Sequence, residues 1–283
     1  MGTNTRRRSS GHDRIAAAKH AREQAARRRQ RRPYVIGGVA AAALVVVGLA
    51  LLVKSSTDSD SGVTTGTASA TTVSPGATPA AFVYGTAPCA PGTVPPAPTI
   101  DFAGTNGFAK CVDPASKYIA TFDTTAGTIK VDLDLTRTPG TTNNFVQLAG
   151  YRYYDGTKLF RTDPSMGIVQ GGAPHTNDAT DPGPGFTISD EGGGFTYRPG
   201  QLVMARGSGP NSAGAQFFFT ADEKASTLDG DGSYVVVGTV TEGLDVLQKI
   251  LATNVGSGIL GGAPNPEVTV NSVSVGQASL VTG

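Results

Sequence analysis

"PNSAGAQFFFT", Pro210–Thr220, decides how the C-terminal part of this chain folds, since it runs from a small-residue loop into a glutamine and three phenylalanines. Successive side chains of a β-strand point to opposite faces of the sheet, so Phe217 and Phe219 share one face while Gln216 and Phe218 share the other. We therefore expect a strand with one face in an apolar core. The other face must offer the glutamine polar partners, because an unpaired buried amide costs a few kcal/mol.

The surrounding sequence predicts further short strands and two helices. Alternating residues on both sides of "TTAG" predict a hairpin that pairs Tyr118–Phe122 with Thr128–Leu133. Further strands are predicted at "LFRTD", "GIVQGG", "LVMAR", "AQFFFTA", "YVVVGTV" and "EVTVNSVSV". One helix should begin after the N-cap Thr138 and end at Gly150, and a second should cover Gly243–Ile250. This pattern favours a mainly β fold, a closed antiparallel barrel with helices over its ends.

Composition and motifs argue against several classes of function. The three histidines (His12, His20 and His175) do not lie with cysteines at a spacing typical of metal ligands. Neither a P-loop nor a G-x-G-x-x-G fingerprint occurs. Residues 1–32 carry a net charge of +9, which leaves −8 on the remainder of a chain whose total is +1. We therefore expect no metal and no other cofactor. We also expect no nucleic-acid partner, because the excess of basic residues is confined to a tail.

Residues 34–53, "YVIGGVAAAALVVVGLALLV", form an uncharged run that predicts a transmembrane helix. A helix of this length spans about 30 Å, the thickness of the bilayer's hydrocarbon core. Five arginines between positions 27 and 32 precede it and only Lys54 follows, so residues 1–33 should be a cytoplasmic basic tail and the rest extracytoplasmic. A cleaved signal peptide is an alternative, although "ASA" at 68–70 lies far beyond the apolar run. A buried core helix is disfavoured because the run has no polar face.

Two segments separate this predicted single-pass anchor from the folded domain, which we place at 117–280. Residues 54–81 are almost wholly Ser, Thr, Gly, Ala, Asp and Pro, a composition typical of a flexible linker. Residues 82–116 are rich in proline and hold the only cysteines, Cys89 and Cys111. Outside the membrane this pair predicts a disulfide that pins the segment to the domain, with free thiols as the alternative.

Motifs of the folded domain occur in the order and spacing seen in cyclophilins. They are "YYDGTKLFR", "QGGAP", "PGPGFTISDE", "LVMAR…PNSAGAQFFF" and "LDG…YVVVGTVTEGLDVLQKI". The resemblance covers about residues 117–278, and the whole chain resembles bacterial cyclophilins with a membrane anchor. It implies a closed eight-stranded antiparallel β-barrel capped by two α-helices. It also implies cofactor-independent peptidyl-prolyl cis–trans isomerase (rotamase) activity on proline-containing segments of secreted or envelope proteins.

The resemblance also assigns catalytic roles. Arg161 matches the family's catalytic arginine, whose planar guanidinium can hold the carbonyl before the proline and approach the prolyl nitrogen. Gln170 matches the glutamine that holds this arginine and the substrate backbone, and Gln216 would grip the same backbone. The simpler alternatives are an Arg161 ion pair with Asp163 or Asp155, and strand amides that face water.

A second set of residues is expected to line the substrate site: Met166, Ile168, Ala205, Arg206, Phe218, Leu228 and Tyr234. Tyr234 falls where many members have histidine, and Arg206 would contribute backbone groups beside the peptide. Core packing is the alternative role for Phe218 and Leu228, and a solvated side chain is the alternative for Arg206.

The chain departs from the family pattern in three places. One extra residue lies between Arg161 and Gln170, and Gly167 stands where a large aromatic usually floors the pocket, so Met166 or Ile168 should replace that ring. Thr227 stands where cyclosporin-binding members have tryptophan, which predicts weak cyclosporin binding. The loop at 205–214 is also one residue longer. Alternatives to an enzyme are a proline-peptide-binding or chaperone module with weak turnover, and a scaffold.

Overall fold

The computed structural model describes residues 81–230, 233–258 and 260–278. The predicted tail, transmembrane helix and nearly all of the linker therefore lie outside the described residues. Within the described ranges, none of the helices combines the length and the apolar character needed to cross a membrane.

The described elements are mainly strands. In chain order they are β1 (Tyr118–Thr124), β2 (Gly127–Leu133), α1 (Pro139–Gly150), β3 (Thr157–Lys158), β4 (Arg161–Asp163), β5 (Ile168–Gly171), β6 (Gln201–Arg206), β7 (Ala213–Thr220), the 3-10 helix η1 (Glu223–Leu228), β8 (Val236–Glu242), α2 (Leu244–Ala252), β9 (Asn254–Gly258), β10 (Gly261–Pro264) and β11 (Thr269–Gln277).

All described strands belong to one antiparallel sheet with the order β3-β11-β1-β2-β8-β6-β7-β5-β4-β10-β9. The mainly β fold is confirmed, whereas the closed eight-stranded barrel stays a prediction, because the described sheet has eleven strands and its pairings form a series with two edges. Eight strands coincide with the predicted ones. The short β3 and the hairpin of β9 and β10 were not predicted, since "NVGSG" and "GGAP" show no alternation of apolar and polar residues.

The predicted hairpin and both helices are confirmed. Strands β1 and β2 pair with Phe122 opposite Ile129 and Ala120 opposite Val131, and all four side chains are buried. Helix α1 begins at Pro139 and ends at Gly150 as expected. Helix α2 begins one residue later than predicted and continues to Ala252.

The N-terminus of α1 is capped from a distant loop. Thr138 occupies the N-cap position, but its hydroxyl lies between the carbonyl oxygens of Asp134 (3.0 Å) and Val236 (3.1 Å), either of which can accept its proton, and does not cap the helix. The Glu191 carboxylate accepts from the backbone N–H of Gly140 (3.1 Å) and of Thr141 (2.8 Å). A carboxylate is favourable there, because it meets the unpaired N–H groups and the positive end of the helix dipole.

The main core confirms the two-sided interpretation of the phenylalanine run. Phe217 and Phe219 are both fully buried, and both ring centroids lie within 5.5 Å of the Phe122 ring centroid. Phe218 belongs to a second, separate apolar cluster on the other face of the sheet. The same strand therefore contributes to the core and to a site outside it.

The proline-rich segment packs against α1 and carries the predicted disulfide. Cys89 and Cys111 are bonded to each other, so the alternative of free thiols is wrong. The side-chain oxygen of Asn143 accepts from the backbone N–H of Cys111 (2.8 Å), and that of Gln147 accepts from the N–H of Ala90 (2.6 Å). These bonds attach an otherwise irregular chain to a regular helix.

Candidate active site

Strand register places the predicted catalytic residues side by side. Arg161 on β4 lies directly opposite Gln170 on β5, and Gln170 in turn lies opposite Phe218 on β7. Gln216 precedes Phe218 by two residues and so shares its face of the strand. Three strands that are neighbours in the sheet, β4, β5 and β7, thus bring one guanidinium, two amides and one aromatic ring to the same surface.

The polar side chains form a continuous chain of hydrogen bonds. Arg161 Nη1 donates to Gln170 Oε1 (2.8 Å), and Gln170 Nε2 donates to Gln216 Oε1 (2.9 Å). Both oxygens are used, so the orientation of each amide is set by its neighbour. Gln216 is partly exposed, and its amide nitrogen lies at the exposed end of this series of hydrogen bonds.

The guanidinium of Arg161 is held on its other nitrogens as well. Nη2 donates to Asp163 Oδ2 (2.9 Å), and Nε donates to the carbonyl oxygen of Leu260 in the β9–β10 connection. Nη2 also lies 3.7 Å from the sulfur of Met166, a weak acceptor. Arg161 therefore forms both the ion pair with Asp163, which was the alternative interpretation, and the contact with Gln170 that is expected of a catalytic arginine.

Asp163 is charged at the pH of ordinary assays. Burial raises the pKa of its carboxyl group, but hydrogen bonds from Ser165 and Arg161 and the guanidinium charge outweigh burial, so the pKa lies below its usual value. The guanidinium consequently meets a carboxylate and not a neutral acid.

An apolar cleft lies beside this polar chain. The rings of Phe218 and Tyr234 meet edge to face with centroids 5.6 Å apart. Ile168 and Leu228 are buried in the same cluster, and Met166 packs against it. Tyr234 also accepts a hydrogen bond at its backbone carbonyl from the Tyr197 hydroxyl (2.8 Å), which ties the wall to the loop before β6.

A side chain at Gly167 would collide with Asp222. The φ of Gly167 is +63°, and an added Cβ would lie 2.1 Å from Oδ1 of Asp222. Asp222 is the N-cap of η1, where its side chain accepts from the N–H of Lys224 (2.9 Å). Both neighbours of Gly167, Met166 and Ile168, line the cleft instead, although only one was expected to replace the ring.

The side chain of Arg206 is not solvated, so that alternative is wrong. Its Nη1 lies 3.2 Å from Asp190 Oδ2 and donates to the carbonyl of Ser233 (3.2 Å). Its side chain is only 12% exposed, and Arg206 borders the cleft at the end of β6 next to Ala205.

All ten residues predicted for catalysis or substrate binding line this one cleft, whose volume is about 190 Å³. Sites for drug-sized ligands have volumes of about 300–1,000 Å³, so this cleft suits one or two side chains of a peptide. The individual roles of the ten residues stay predictions.

Several lining residues were missed by the sequence interpretation, among them Asp181, Pro184, Phe186 and Leu260. Leu260 belongs to the unpredicted hairpin, and no pattern in its glycine-rich surroundings indicates that it meets Arg161. Phe186 lies in "PGPGFTISDE", which was used for the resemblance without a role for its ring. Across the described part of the chain, no group of three or more His, Cys, Asp or Glu side chains could hold a metal ion.

Comparison with known proteins identifies relatives of the folded region. The family described as cyclophilin type peptidyl-prolyl cis-trans isomerase/CLD matches residues 119–275, which is more than half of the chain. A probable peptidyl-prolyl cis-trans isomerase B of Mycobacterium leprae is 34% identical over 177 residues, which cover 57% of this chain and 57% of that protein. A peptidyl-prolyl cis-trans isomerase of Acinetobacter baylyi is 31% identical over 162 residues, which cover 56% of this chain and 85% of that protein.

Solved structures with a similar fold include a cyclophilin type peptidyl-prolyl cis-trans isomerase of Cryptosporidium parvum. It shares 23% sequence identity, has a TM-score of 0.46, and the match covers 57% of this chain and 99% of that one. Among the sequence relatives named above, the chain spans little more than half the length of the mycobacterial protein and most of the length of the Acinetobacter one.

Proposed function

The chain belongs to the cyclophilin-type peptidyl-prolyl cis-trans isomerase family, and we propose that it accelerates rotation about Xaa-Pro bonds without a cofactor. The observation that carries this proposal is the hydrogen-bonded series Asp163–Arg161–Gln170–Gln216 along the edge of an apolar cleft. This arrangement matches the chemical demands of the reaction.

Rotation about a prolyl bond breaks no covalent bond. Its barrier of about 18–20 kcal/mol comes from amide conjugation, and the uncatalysed process takes tens to hundreds of seconds. A catalyst therefore needs neither a nucleophile nor an acid–base pair, but must bind the twisted amide better than the planar one. Lowering the barrier by about 7 kcal/mol gives roughly 10⁵-fold acceleration.

The residues around the cleft divide these tasks. The apolar wall of Phe218, Ile168 and Leu228 holds the proline ring away from water, and Gln216 donates to the backbone of the flanking residue. Arg161 donates to the carbonyl before the proline and to the prolyl nitrogen, which becomes pyramidal and basic as conjugation is lost. A preorganised donor of this kind stabilises the twisted state without reorganising during the reaction.

The substrates are proline-containing segments of unfolded secreted or envelope proteins. This part of the proposal rests on the apolar run at 34–53, the arginines before it and the disulfide after it. It places residues 1–33 in the cytoplasm, a single-pass anchor in the cell membrane and the isomerase domain outside. Disulfides persist in such oxidising surroundings and are rare in the cytosol.

Two finer features complete the proposal. The eight predicted strands close into a barrel between β11 and β4: β3 pairs with β11 at one edge of the sheet, and two residues later the chain enters β4, which pairs with β5 near the other edge. Cyclosporin binds weakly, because the exposed Thr227 on η1 offers no indole to contact it. A Thr227→Trp variant should therefore bind cyclosporin more tightly, as measured by calorimetry.

A proline-peptide exchange experiment tests the activity. The full-length protein in detergent is added to a short peptide with one Xaa-Pro bond, and cis–trans exchange is followed by NMR. We expect exchange well above the uncatalysed rate, and an Arg161→Ala variant that loses most of it while still melting cooperatively. If the wild-type protein binds the peptide but leaves the exchange rate unchanged, the binding-module alternative replaces the enzyme.

Cysteine labelling tests the topology. The native cysteines are bonded to each other, so single cysteines introduced as Ser10→Cys in the tail and Ser69→Cys in the linker are the reactive thiols. A membrane-impermeant maleimide applied to intact cells should label the linker and not the tail. The reverse pattern would contradict the proposed orientation.

A further inference from the structure

The carboxylate of Asp163 stands between the catalytic arginine and the turn that follows β4. Its side chain is only 6% exposed, although an aspartate at a strand end is usually solvated. One oxygen, Oδ2, accepts from Arg161 Nη2 at 2.9 Å. The other, Oδ1, accepts from the backbone N–H of Ser165 (3.0 Å), the hydroxyl of Ser165 (2.6 Å) and the N–H of Met166 (3.3 Å).

We propose that Asp163 is a positioning residue for this site. The turn after β4 holds the Asp163 carboxylate through Oδ1, and the carboxylate holds the Arg161 guanidinium through Oδ2. This inference rests on the proposed isomerase function, because it assigns Asp163 an effect exerted only through Arg161. Arginine has a long side chain with many rotamers, and a substrate gains most from a guanidinium that is already oriented.

Only a carboxylate can serve both contacts. Each of its oxygens accepts from a different set of donors, and every group that faces it is a donor. An asparagine of the same shape has one acceptor oxygen and one donor NH₂ group, so it must give up either the arginine or the turn. The turn between β4 and β5 supplies the donors that hold the carboxylate.

Other charged groups near the turn do not replace this contact. Lys224 on η1 donates to the backbone carbonyl of Pro164 (2.9 Å), and the Asp222 carboxylate packs against Gly167 and caps η1. On the opposite side, the backbone of Gly261 in β10 approaches Asp163, since a Cβ there would lie 3.0 Å from the Asp163 Cβ. Among these neighbours, Arg161 is the cation that meets the carboxylate directly.

The test compares Asp163→Asn with Asp155→Asn in the full-length protein. Asp155 makes the same kind of contacts outside the cleft, because one oxygen accepts from Arg152 Nε (2.8 Å) and the other from the backbone N–H of Val273 (3.1 Å), so it serves as the matched control. We expect Asp163→Asn to lower kcat/KM about tenfold, mainly through kcat, because the lost orientation matters most in the twisted state. Asp155→Asn should stay within about twofold of the wild-type protein.

A spectroscopic measurement separates positioning from a general structural effect. The ¹⁵Nη–¹Hη signals of Arg161, assigned by their loss in Arg161→Lys, should exchange faster with water in Asp163→Asn, because Asp163 accepts from Nη2, and should remain unchanged in Asp155→Asn. If Asp163→Asn fails to fold, Asp163→Glu replaces it with the same expected losses, since it keeps both acceptor oxygens but displaces them by one methylene.

Three results would overturn the inference: activity of Asp163→Asn within twofold of the wild-type protein, an equal loss in Asp155→Asn, or an unchanged Arg161 signal. The first two require an active wild-type protein, so a failure of the inference is distinct from a failure of the isomerase function. If the wild-type protein is inactive, the Arg161 signal alone still decides whether Asp163 orients the guanidinium.

Discussion

Gly167→Ala tests whether steric exclusion explains the missing aromatic side chain. The backbone at Gly167 has φ +63°, a region that L-residues rarely adopt, and an added Cβ would lie 2.1 Å from Oδ1 of Asp222. The Asp222 side chain must therefore move, and it is the N-cap whose Oδ1 accepts from Lys224 N–H. Gly156→Ala is the matched control, because its φ is +74° and nothing lies within 4 Å of its added Cβ.

The expected magnitudes follow from these two contributions. A non-glycine residue in the left-handed region costs about 1–2 kcal/mol, and this cost applies to both variants. Loss of a capping side chain costs about 1 kcal/mol more, and this cost applies only to Gly167→Ala. We therefore expect losses in the free energy of unfolding of about 2–3 kcal/mol for Gly167→Ala and about 1–2 kcal/mol for Gly156→Ala.

Urea denaturation of both variants measures this difference, and peptide exchange measures its consequence for the site. Helix η1 carries Leu228 on the cleft wall, so only Gly167→Ala should also lower kcat/KM. Equal destabilisation by the two substitutions would show that the contact with Asp222 relaxes at no cost. The proposed reason for the absent ring would then be wrong.

Three further variants test other features of the fold and site. The double substitution Cys89→Ser and Cys111→Ser opens a loop with a sequence separation of 22 and should reduce the free energy of unfolding by about 3 kcal/mol in urea titrations. An unchanged midpoint would show that the segment is held by its other contacts. Phe217→Ala should cost about 3–5 kcal/mol of stability because the ring is fully buried in the core. Phe218→Ala should also destabilise the domain, because its ring is buried in the second cluster, but it alone should raise KM by at least about tenfold, and an equal rise of KM in Phe217→Ala would contradict the two-sided strand. The pKa of Asp163 is lowered in the folded chain. Its carboxylate therefore stabilises the folded state above about pH 4, and this stabilisation is lost as pH falls through the folded pKa. Asp163→Asn should flatten the pH dependence of the melting temperature over this acidic range.

Local patterns in the sequence were sufficient for most of the fold. The hairpin of β1 and β2, the bounds of α1 and the two faces of β7 follow from side-chain periodicity and from Pro139 and Gly150, which act within a few residues. The cysteine pairing follows equally directly, since only one pair is possible. The hairpin of β9 and β10 was missed because glycines carry no periodic signal, although its backbone pairs with β4 and its Leu260 carbonyl reaches Arg161.

The sequence by itself determined which residues come together at the candidate site, since all ten predicted side chains line one cleft. It did so because their motifs keep the order and spacing of the family. Only the tertiary structure decided how those side chains are held: Leu260 lies over the Arg161 guanidinium, and Asp222 lies in the space a ring at Gly167 would need. These contacts join elements that are distant in sequence or depend on a single backbone angle. Periodicity and spacing report which face a side chain takes, but the partner it meets there is set by how the strands and loops pack.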